Sequence, residues 1–190
     1  MTRRRILWHW PLLLTTGLGI AQAVAAATAP EYQVKAAFIY KFATYIRWPA
    51  SVGGNATRPF VIGVIGKDPF GPFLAEVVRD QTVQGRAIRI KPLSRVEEVL
   101  ECDVVFVSSS ERGNLGRIFS VLRGASVLTV GDIDQFAEQG GMIGLVTTED
   151  NHIRFDINKA AIERSGLRAS SQLLHLARIV DEPHEDRGHR

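Results

Sequence analysis

The feature that most constrains the fold of this chain is a change of hydrophobic period in its C-terminal third. Residues 142–148 form an almost continuous apolar run, which is typical of a strand covered on both faces. After the turn residues at 149–151, apolar Ile153, Phe155 and Ile157 alternate with polar side chains, as in a strand with one wet face. The polar members of this alternation are His152, Arg154 and Asp156. We therefore predict an antiparallel hairpin whose second strand lies at or near a sheet edge.

The segment before this hairpin alternates short apolar runs with helical patterns. The predicted strands cover 60–65, 87–90, 104–107 and 127–130, and the predicted helices cover 70–79, 96–100, 116–122 and 133–139. This alternation is typical of a parallel sheet with helices packed on it. We predict a single α/β domain over residues 28–180, with a mostly parallel, Rossmann-like sheet, flanking helices and a C-terminal antiparallel hairpin.

Two short helices are expected to follow the hairpin. Asn158 can cap the first of them, and Gly166 is placed to end it. Ser170 or Ser171 can cap the second. The apolar stripe of this last helix consists of Leu173, Leu174, Leu176 and Ala177. Such a stripe predicts a helix that is buried along one side.

Residues 32–48 predict a helix that is apolar nearly all round and ends before Pro49. One apolar face consists of Val34, Ala37, Phe38, Phe42 and Tyr45, and the basic residues expected to reach water are Lys35, Lys41 and Arg47. A second face, made of Tyr32, Ile39, Ala43 and Ile46, has two interpretations. It is either a core surface under the C-terminal helix or the interface of a homodimer or partner complex. The sheet edge at His152 and Arg154 is the other candidate for that interface.

The first 27 residues have the pattern of an export signal. Arg3, Arg4 and Arg5 precede an apolar stretch that ends in small residues at 25–27. We predict a signal peptide over 1–27, cleaved after Ala25 or Ala27, and a periplasmic location. A membrane anchor is the alternative, but polar residues and glycines interrupt the apolar run, which is also short for a bilayer. The arginines resemble a twin-arginine signal as well, so the general secretory and twin-arginine routes both stay open.

Removal of this segment changes the charge of the chain. The whole sequence has 23 Lys+Arg and 20 Asp+Glu; three of the arginines and none of the acids lie in 1–27, so 20 of each remain. A balanced chain without a basic cluster does not fit nucleic-acid binding. Residues 181–190 are charged and lack apolar anchors, which predicts a disordered tail.

The residues that usually carry catalysis or bind metals do not form a recognisable pattern. Cys102 is the single cysteine, so it cannot form an internal disulfide, and its apolar neighbours favour a buried thiol over an intermolecular bridge. The serines at 108–110 lack a nucleophile-elbow motif, and the histidines lack the spacing of a helical zinc site. We predict a binding protein rather than an enzyme, with no metal and no cofactor.

Polar residues do follow several of the predicted parallel strands, where open α/β sheets bind ligands. The candidate ligand site consists of Lys67, Asp68, Phe70, Ser108, Ser109 and Asp132. The first of these loops is not the glycine pattern of a dinucleotide site. Ordinary turn and cap chemistry is the alternative explanation for these residues.

Several motifs along the chain resemble the YfiR family of periplasmic proteins. They comprise 32–42 with Trp48-Pro49, Gly131-Asp132, Phe136, 140–143, 155–158 with Ala160-Ala161, 165–168 and 170–174. The resemblance spans about residues 31–178 and implies a fold similar to half of a periplasmic binding protein. Characterised members carry paired cysteines, whereas this chain has only Cys102.

The resemblance also implies a regulatory function. The characterised YfiR-family proteins repress a membrane-anchored diguanylate cyclase by holding its periplasmic sensing domain, and an outer-membrane lipoprotein relieves the repression. The expected partners are therefore that domain of an inner-membrane cyclase, an outer-membrane lipoprotein and a second copy of the chain. A periplasmic small-molecule sensor for another membrane signalling protein is the alternative, and it predicts a polar pocket at the strand ends.

Overall fold

A computed structural model describes residues 20–49 and 58–181 of the chain. Most of the predicted signal peptide, the loop at 51–57 and the tail from 182 onward lie outside these described residues. In the described part, no helix is long and apolar enough to cross a membrane.

The strands are β1 (Ile46–Arg47), β2 (Phe60–Ile65), β3 (Thr82–Val83), β4 (Arg86–Leu93), β5 (Val104–Val107), β6 (Leu128–Gly131), β7 (Ile143–Thr147), β8 (Ile153–Asn158), β9 (Arg168–Ala169) and β10 (Arg178–Val180). Within the described residues, eight of them form one sheet in the order β10-β8-β7-β6-β5-β2-β4-β3. The five central strands β4, β2, β5, β6 and β7 are mutually parallel. The remaining two strands, β1 and β9, form a separate antiparallel pair. The predicted α/β class with a mostly parallel sheet and an antiparallel hairpin is confirmed.

The helices are α1 (Ile20–Tyr45), α2 (Phe73–Val78), α3 (Leu115–Val121), α4 (Lys159–Arg164) and α5 (Ser171–Leu176), with 3-10 turns at Val96–Glu101 and Ser109–Asn114. The predicted cap of α4 is confirmed, because the Asn158 side chain accepts from the Ala161 amide at 2.8 Å. Gly166 follows α4 with a φ of +73°, a conformation that favours glycine. Ser170 caps α5 through the Leu173 amide at 3.2 Å.

The helix predicted at 133–139 is wrong. The structure has consecutive turns there, between β6 and β7. The segment is fixed by Phe136, whose ring lies directly against two glycine backbones. A Cβ atom on Gly131 would lie 2.7 Å from that ring, and one on Gly141 would also collide with it. This close packing of ring on backbone constrains the loop together with its turn hydrogen bonds, such as that from the Gln139 amide to the Gln135 carbonyl.

The hairpin β7–β8 has the predicted register. Leu145 pairs with Phe155 and Ile143 with Ile157, and both β8 side chains are buried while Arg154 is exposed. One expectation fails, because Asp156 is only 5% exposed rather than facing water. The reason is β10, which pairs with β8 from Asp156 onward and covers that part of the edge.

Alternate residues of β2 face two separate cores. Phe60, Ile62 and Val64 pack in the core on the α1 side, whereas Val61 and Ile65 pack in the core on the α3 side. On the α1 side, Phe155 lies against Phe38 and Phe42 of the first helix, with ring centroids 5.6 and 5.0 Å apart.

The second face of α1 belongs to this core. Ile39, Ala43 and Ile46 are 0–3% exposed within a single chain, so the structure corrects their predicted place in an interface between molecules. The physical reason is that α1 is covered by the sheet and by the C-terminal segment together. Two residues predicted on buried apolar stripes are instead exposed. Val34 is 45% exposed and Leu176 is 72% exposed.

Asp103, just before β5, is the centre of a buried ion cluster. Its side chain is fully buried and accepts from the Arg86 guanidinium at 2.7 and 3.1 Å, from Arg58 at 2.6 Å and from the Val61 amide at 2.8 Å. Arg86 also donates to the backbone carbonyls of Arg58 and Pro59. Every charged group in the cluster has a partner, which is the condition for tolerating charge in a core.

Candidate functional site

A cleft of about 450 Å³ opens where the parallel strands end. Ser109 follows β5, Asp132 follows β6, and Val146 and Thr147 end β7. The carboxyl ends of the strands are where open α/β sheets bind their ligands. The cleft is lined by Glu31, Tyr32, Lys35, Ser109, Asp132, Asp134, Gln135, Leu145, Val146, Thr147, Asp156 and Arg178. We name it the strand-end cleft.

Residues of α1 form a hydrogen-bonded chain across one wall of the cleft. The Tyr32 hydroxyl donates to Asp132 Oδ2 at 2.7 Å. Lys35 Nζ lies 3.7 Å from the same oxygen and 2.6 Å from Glu31 Oε1. Thr147 donates its hydroxyl to Glu31 Oε1 at 2.7 Å. Because Glu31, Tyr32 and Lys35 occupy one side of one helix, α1 ties the ends of β6 and β7 together.

Tyr32 is held in place by aromatic packing. Its ring meets Phe70 edge to face with centroids 5.6 Å apart, and Phe70 packs in turn on Phe106 of β5 at 4.6 Å. The Lys35 ammonium lies 4.6 Å from the Tyr32 ring centroid. Burial raises the pKa of Tyr32, and the hydrogen bond to Asp132 raises it further, so the phenol stays a proton donor.

Glu31 is kept ionised by its donors. Partial burial acts to raise the pKa of this carboxyl, but the hydrogen bonds from Lys35 and Thr147 outweigh it, and the pKa is lowered from its usual 4.5. The Glu31 carboxyl is therefore ionised at neutral pH. Lys35 itself is only 4% exposed, which corrects the expectation that this lysine reaches water.

A second ion pair forms the opposite wall of the cleft. The Arg178 guanidinium donates to both carboxylate oxygens of Asp156, at 2.7 Å from Nε and more closely from a terminal nitrogen. The same guanidinium reaches Glu138 Oε1 at 2.9 Å. The hydrogen bond to Asp156 raises the pKa of Arg178. This bridge attaches β10 to β8 and to the loop that follows Asp132.

Asp132 is the residue of the cleft with an unmet hydrogen-bonding requirement. Its side chain is 3% exposed. Oδ2 receives the Tyr32 hydroxyl, whereas Oδ1 has no hydrogen-bond partner among the described residues. A buried acceptor without a donor is destabilising and uncommon in native structures.

The structure divides the six residues of the predicted ligand site. Ser109 and Asp132 line the cleft. Ser108 is buried above β5, and Phe70 is a core residue that supports Tyr32. Lys67 and Asp68 are exposed and do not line it; Asp68 caps the next turn by accepting from the Phe70 amide at 2.8 Å. For Asp68 the alternative explanation by turn chemistry therefore applies.

Most residues of the cleft were not predicted as site residues, among them the charged residues Glu31, Lys35 and Arg178. Glu31 lies just before the helix predicted at 32–48, and Lys35 was expected to reach water, although an acid four residues before a base is a pair signal. Arg178 starts a strand of three residues, which is too short to produce a recognisable alternation.

The remaining predicted interface residues occupy different environments. Tyr32 is part of the cleft wall, so it serves the interior of one chain. His152 and Arg154 are exposed at the start of β8, and His152 Nδ1 lies 2.9 Å from Asp150. They are the part of the predicted interface that a second molecule can reach.

Cys102 is buried, as its apolar neighbours indicated. It is 4% exposed, and its Sγ lies 3.7 Å from the Glu98 carbonyl. Burial raises the pKa of the thiol to about 11, which keeps it protonated and unreactive at neutral pH.

The comparison with family models agrees with this architecture. The family described as YfiR/HmsC-like matches residues 32–178, from the tyrosine of the cleft wall to the arginine of the opposite wall. The chain belongs to the YfiR/HmsC-like family. Membership of this family suggests a periplasmic regulator connected to diguanylate cyclase. No curated protein sequence matches the chain.

Proposed function

We propose that this protein is a periplasmic repressor that binds the periplasmic sensing domain of a membrane-anchored diguanylate cyclase and so lowers cyclic-di-GMP. The observation that supports it is the family match over residues 32–178, which includes every strand of the main sheet except the last two residues of β10. A repressor of this kind acts by binding one conformation of the cyclase better than the other.

The surface proposed for this partner is the sheet edge beside the first half of β8. β10 pairs with β8 only from Asp156 onward, and in the described part of the chain no strand covers that side of residues 153–155. Leu176 and Ile179, just before and within β10, are 72% and 48% exposed. Exposed Arg154 adds a positive charge to the uncovered half of β8. An open edge flanked by apolar side chains is a surface suited to protein binding.

The first test is binding and its effect in cells. The purified protein should retain the periplasmic domain of its cyclase on a column, and cells lacking the protein should contain more cyclic-di-GMP. Unchanged cyclic-di-GMP together with no retained cyclase domain would contradict the proposal.

A pair of leucine variants tests the surface. Leu176→Asp should weaken binding of the cyclase domain at least tenfold, because it places a charge in an apolar contact. Leu100→Asp is the matched control, since Leu100 is also exposed, at 52%, but lies in the 3-10 turn after β4. Equal affinities of the two variants would place the contact elsewhere on the molecule.

Two further partners belong to the same proposal. We propose that an outer-membrane lipoprotein relieves the repression by sequestering this protein, and that the protein forms a homodimer through the same open edge. Light scattering on concentrated protein tests the dimer, and Arg154→Glu should shift it toward the monomer. A wild type that stays monomeric at every concentration contradicts the dimer. The cyclase contact is tested separately, by retention of the cyclase domain on the column.

A further inference from the structure

The strand-end cleft carries more negative than positive charge. Its carboxylates are Glu31, Asp132, Asp134 and Asp156, and its cations are Lys35 and Arg178. Four carboxylates against two cations leave two negative charges. Arg112 and Glu138, which pair with cleft residues from outside the lining, cancel each other and preserve this balance. A cleft with this charge favours a cationic ligand.

Asp132 adds a specific hydrogen-bond acceptor to the net negative charge of the cleft. Its Oδ1 lacks a donor among the described residues although its side chain is nearly fully buried on the wall of the cleft. The nearest cation, Lys35, lies on the side of Oδ2 and is already paired with Glu31. A ligand that brings its own N–H donor would satisfy the group that the protein leaves unpaired.

The rest of the wall limits the type of cation. Val146, which is 38% exposed, gives the cleft an apolar strip beside the carboxylates, whereas Leu145 contributes little because it is only 3% exposed. Within the described residues, no group of three His, Cys, Asp or Glu side chains is arranged to hold a metal ion. An organic cation with a short carbon chain matches both the charge and the apolar strip, and the volume of about 450 Å³ is in the range of small-molecule sites.

We propose that the strand-end cleft binds a small organic ammonium compound. The ammonium group donates to Asp132, and the carbon chain lies along Val146. The proposal concerns a different surface from the open sheet edge, and it does not depend on the identity of the regulated partner.

Four probes of nearly equal size test the chemistry by calorimetric titration of the purified full chain at low salt. They are 1,4-diaminobutane, n-butylamine, n-butanol and butyrate. We expect the diamine to bind best, the monoamine next and the alcohol at least tenfold more weakly than the monoamine, with no binding of butyrate. Added salt should weaken the amines and leave the alcohol unchanged. Equal binding of amine and alcohol, or no amine binding at about 10 mM, would overturn the proposal.

A pair of isosteric variants tests the position. Asp132→Asn removes the carboxylate but keeps an acceptor for the Tyr32 hydroxyl, and it should weaken diamine binding at least tenfold. Asp68→Asn makes the same charge change on a loop outside the cleft, and it should bind the diamine as the wild type does. Diamine affinity that is unchanged in Asp132→Asn overturns the assignment. If circular dichroism shows that Asp132→Asn is unfolded, the order of the four probe affinities for the wild type decides whether the proposal holds.

Discussion

Two aspartates are buried at opposite ends of the parallel strands, and they differ in how many of their carboxylate oxygens have hydrogen-bond partners. Asp103 lies at the amino end of β5, where two arginines and a backbone amide occupy both of its oxygens. Asp132 lies at the carboxyl end of β6, where one oxygen has partners and the other has none among the described residues. The chain completes the first site by itself and leaves the second one incomplete. Complete pairing is what a structural charge requires, whereas an unpaired acceptor beside a cleft is typical of a functional site.

The largest expected effect comes from breaking the complete site. Arg86→Met leaves Asp103 buried without its two-pronged partner and leaves two backbone carbonyls without donors, so the free energy of unfolding should fall by about 3–5 kcal/mol. Urea titration measures it. The matched control is Arg117→Met, because the Arg117 pair with Glu97 is solvent-exposed and should contribute below about 1 kcal/mol. Similar losses for the two variants would contradict the structural role of Asp103.

A smaller effect is expected from the partner of Asp132. Tyr32→Phe removes the hydroxyl that donates to Oδ2 but keeps the ring packed on Phe70, so the loss should be about 1–2 kcal/mol. Tyr40→Phe is a suitable control, since the Tyr40 hydroxyl donates to Gln81 in an exposed hydrogen bond. A loss for Tyr32→Phe as large as that for Arg86→Met would mean that the two aspartates are equally structural.

The change in the free energy of unfolding on acidification measures how much the ionised Glu31 side chain stabilises the fold. Its pKa is lower in the folded protein than the usual 4.5, so its ionised form stabilises the fold above that pH, and this contribution disappears as the pH falls through the folded pKa. Glu31→Gln should therefore make the loss of stability on acidification smaller. Urea titrations at a series of acidic pH values measure the change. Glu149→Gln, on the exposed turn of the hairpin, should leave the acid dependence as in the wild type.

The smallest effect is expected at Asp132 itself. Asp132→Asn keeps the acceptor for Tyr32 and removes a buried charge that is only half paired, so the free energy of unfolding should change by less than about 1 kcal/mol. Thermal and urea unfolding both measure it. A loss of several kcal/mol would show that Asp132 is as strongly tied into the fold as Asp103, and the contrast between the two sites would fail.

The sheet was predictable because its strands are marked locally. β2 and β5 are unbroken apolar runs, and β8 alternates with period two, so each could be found without knowing its neighbours. The loop between β6 and β7 could not be predicted in this way. Its conformation depends on Phe136 packing against Gly131 and Gly141, and a helical pattern in sequence contains no information about that contact.

The site was predictable only in part, for the same reason. Ser109 and Asp132 could be placed because strand ends in a parallel sheet share one edge. Lys35 and Asp156 were expected in water, and both are buried by elements that are distant in sequence. Lys35 faces Asp132, 97 positions later, and Asp156 is covered by β10. Such contacts follow from tertiary packing, which a local pattern does not contain.

The contact between Phe136 and the two glycines also determines the shape of the cleft. The loop that begins at Asp132 is pressed against the sheet by one aromatic ring, which leaves no room for a Cβ atom at Gly131. Because Asp132 is the next residue along the chain, the distance between the Phe136 ring and the Gly131 backbone helps to set the position of Asp132 in the cleft. A single methyl group at Gly131 would move the ring, and with it the loop, while leaving every polar side chain of the site unchanged in identity. The shape of the cleft is thus sensitive to a residue that does not line it.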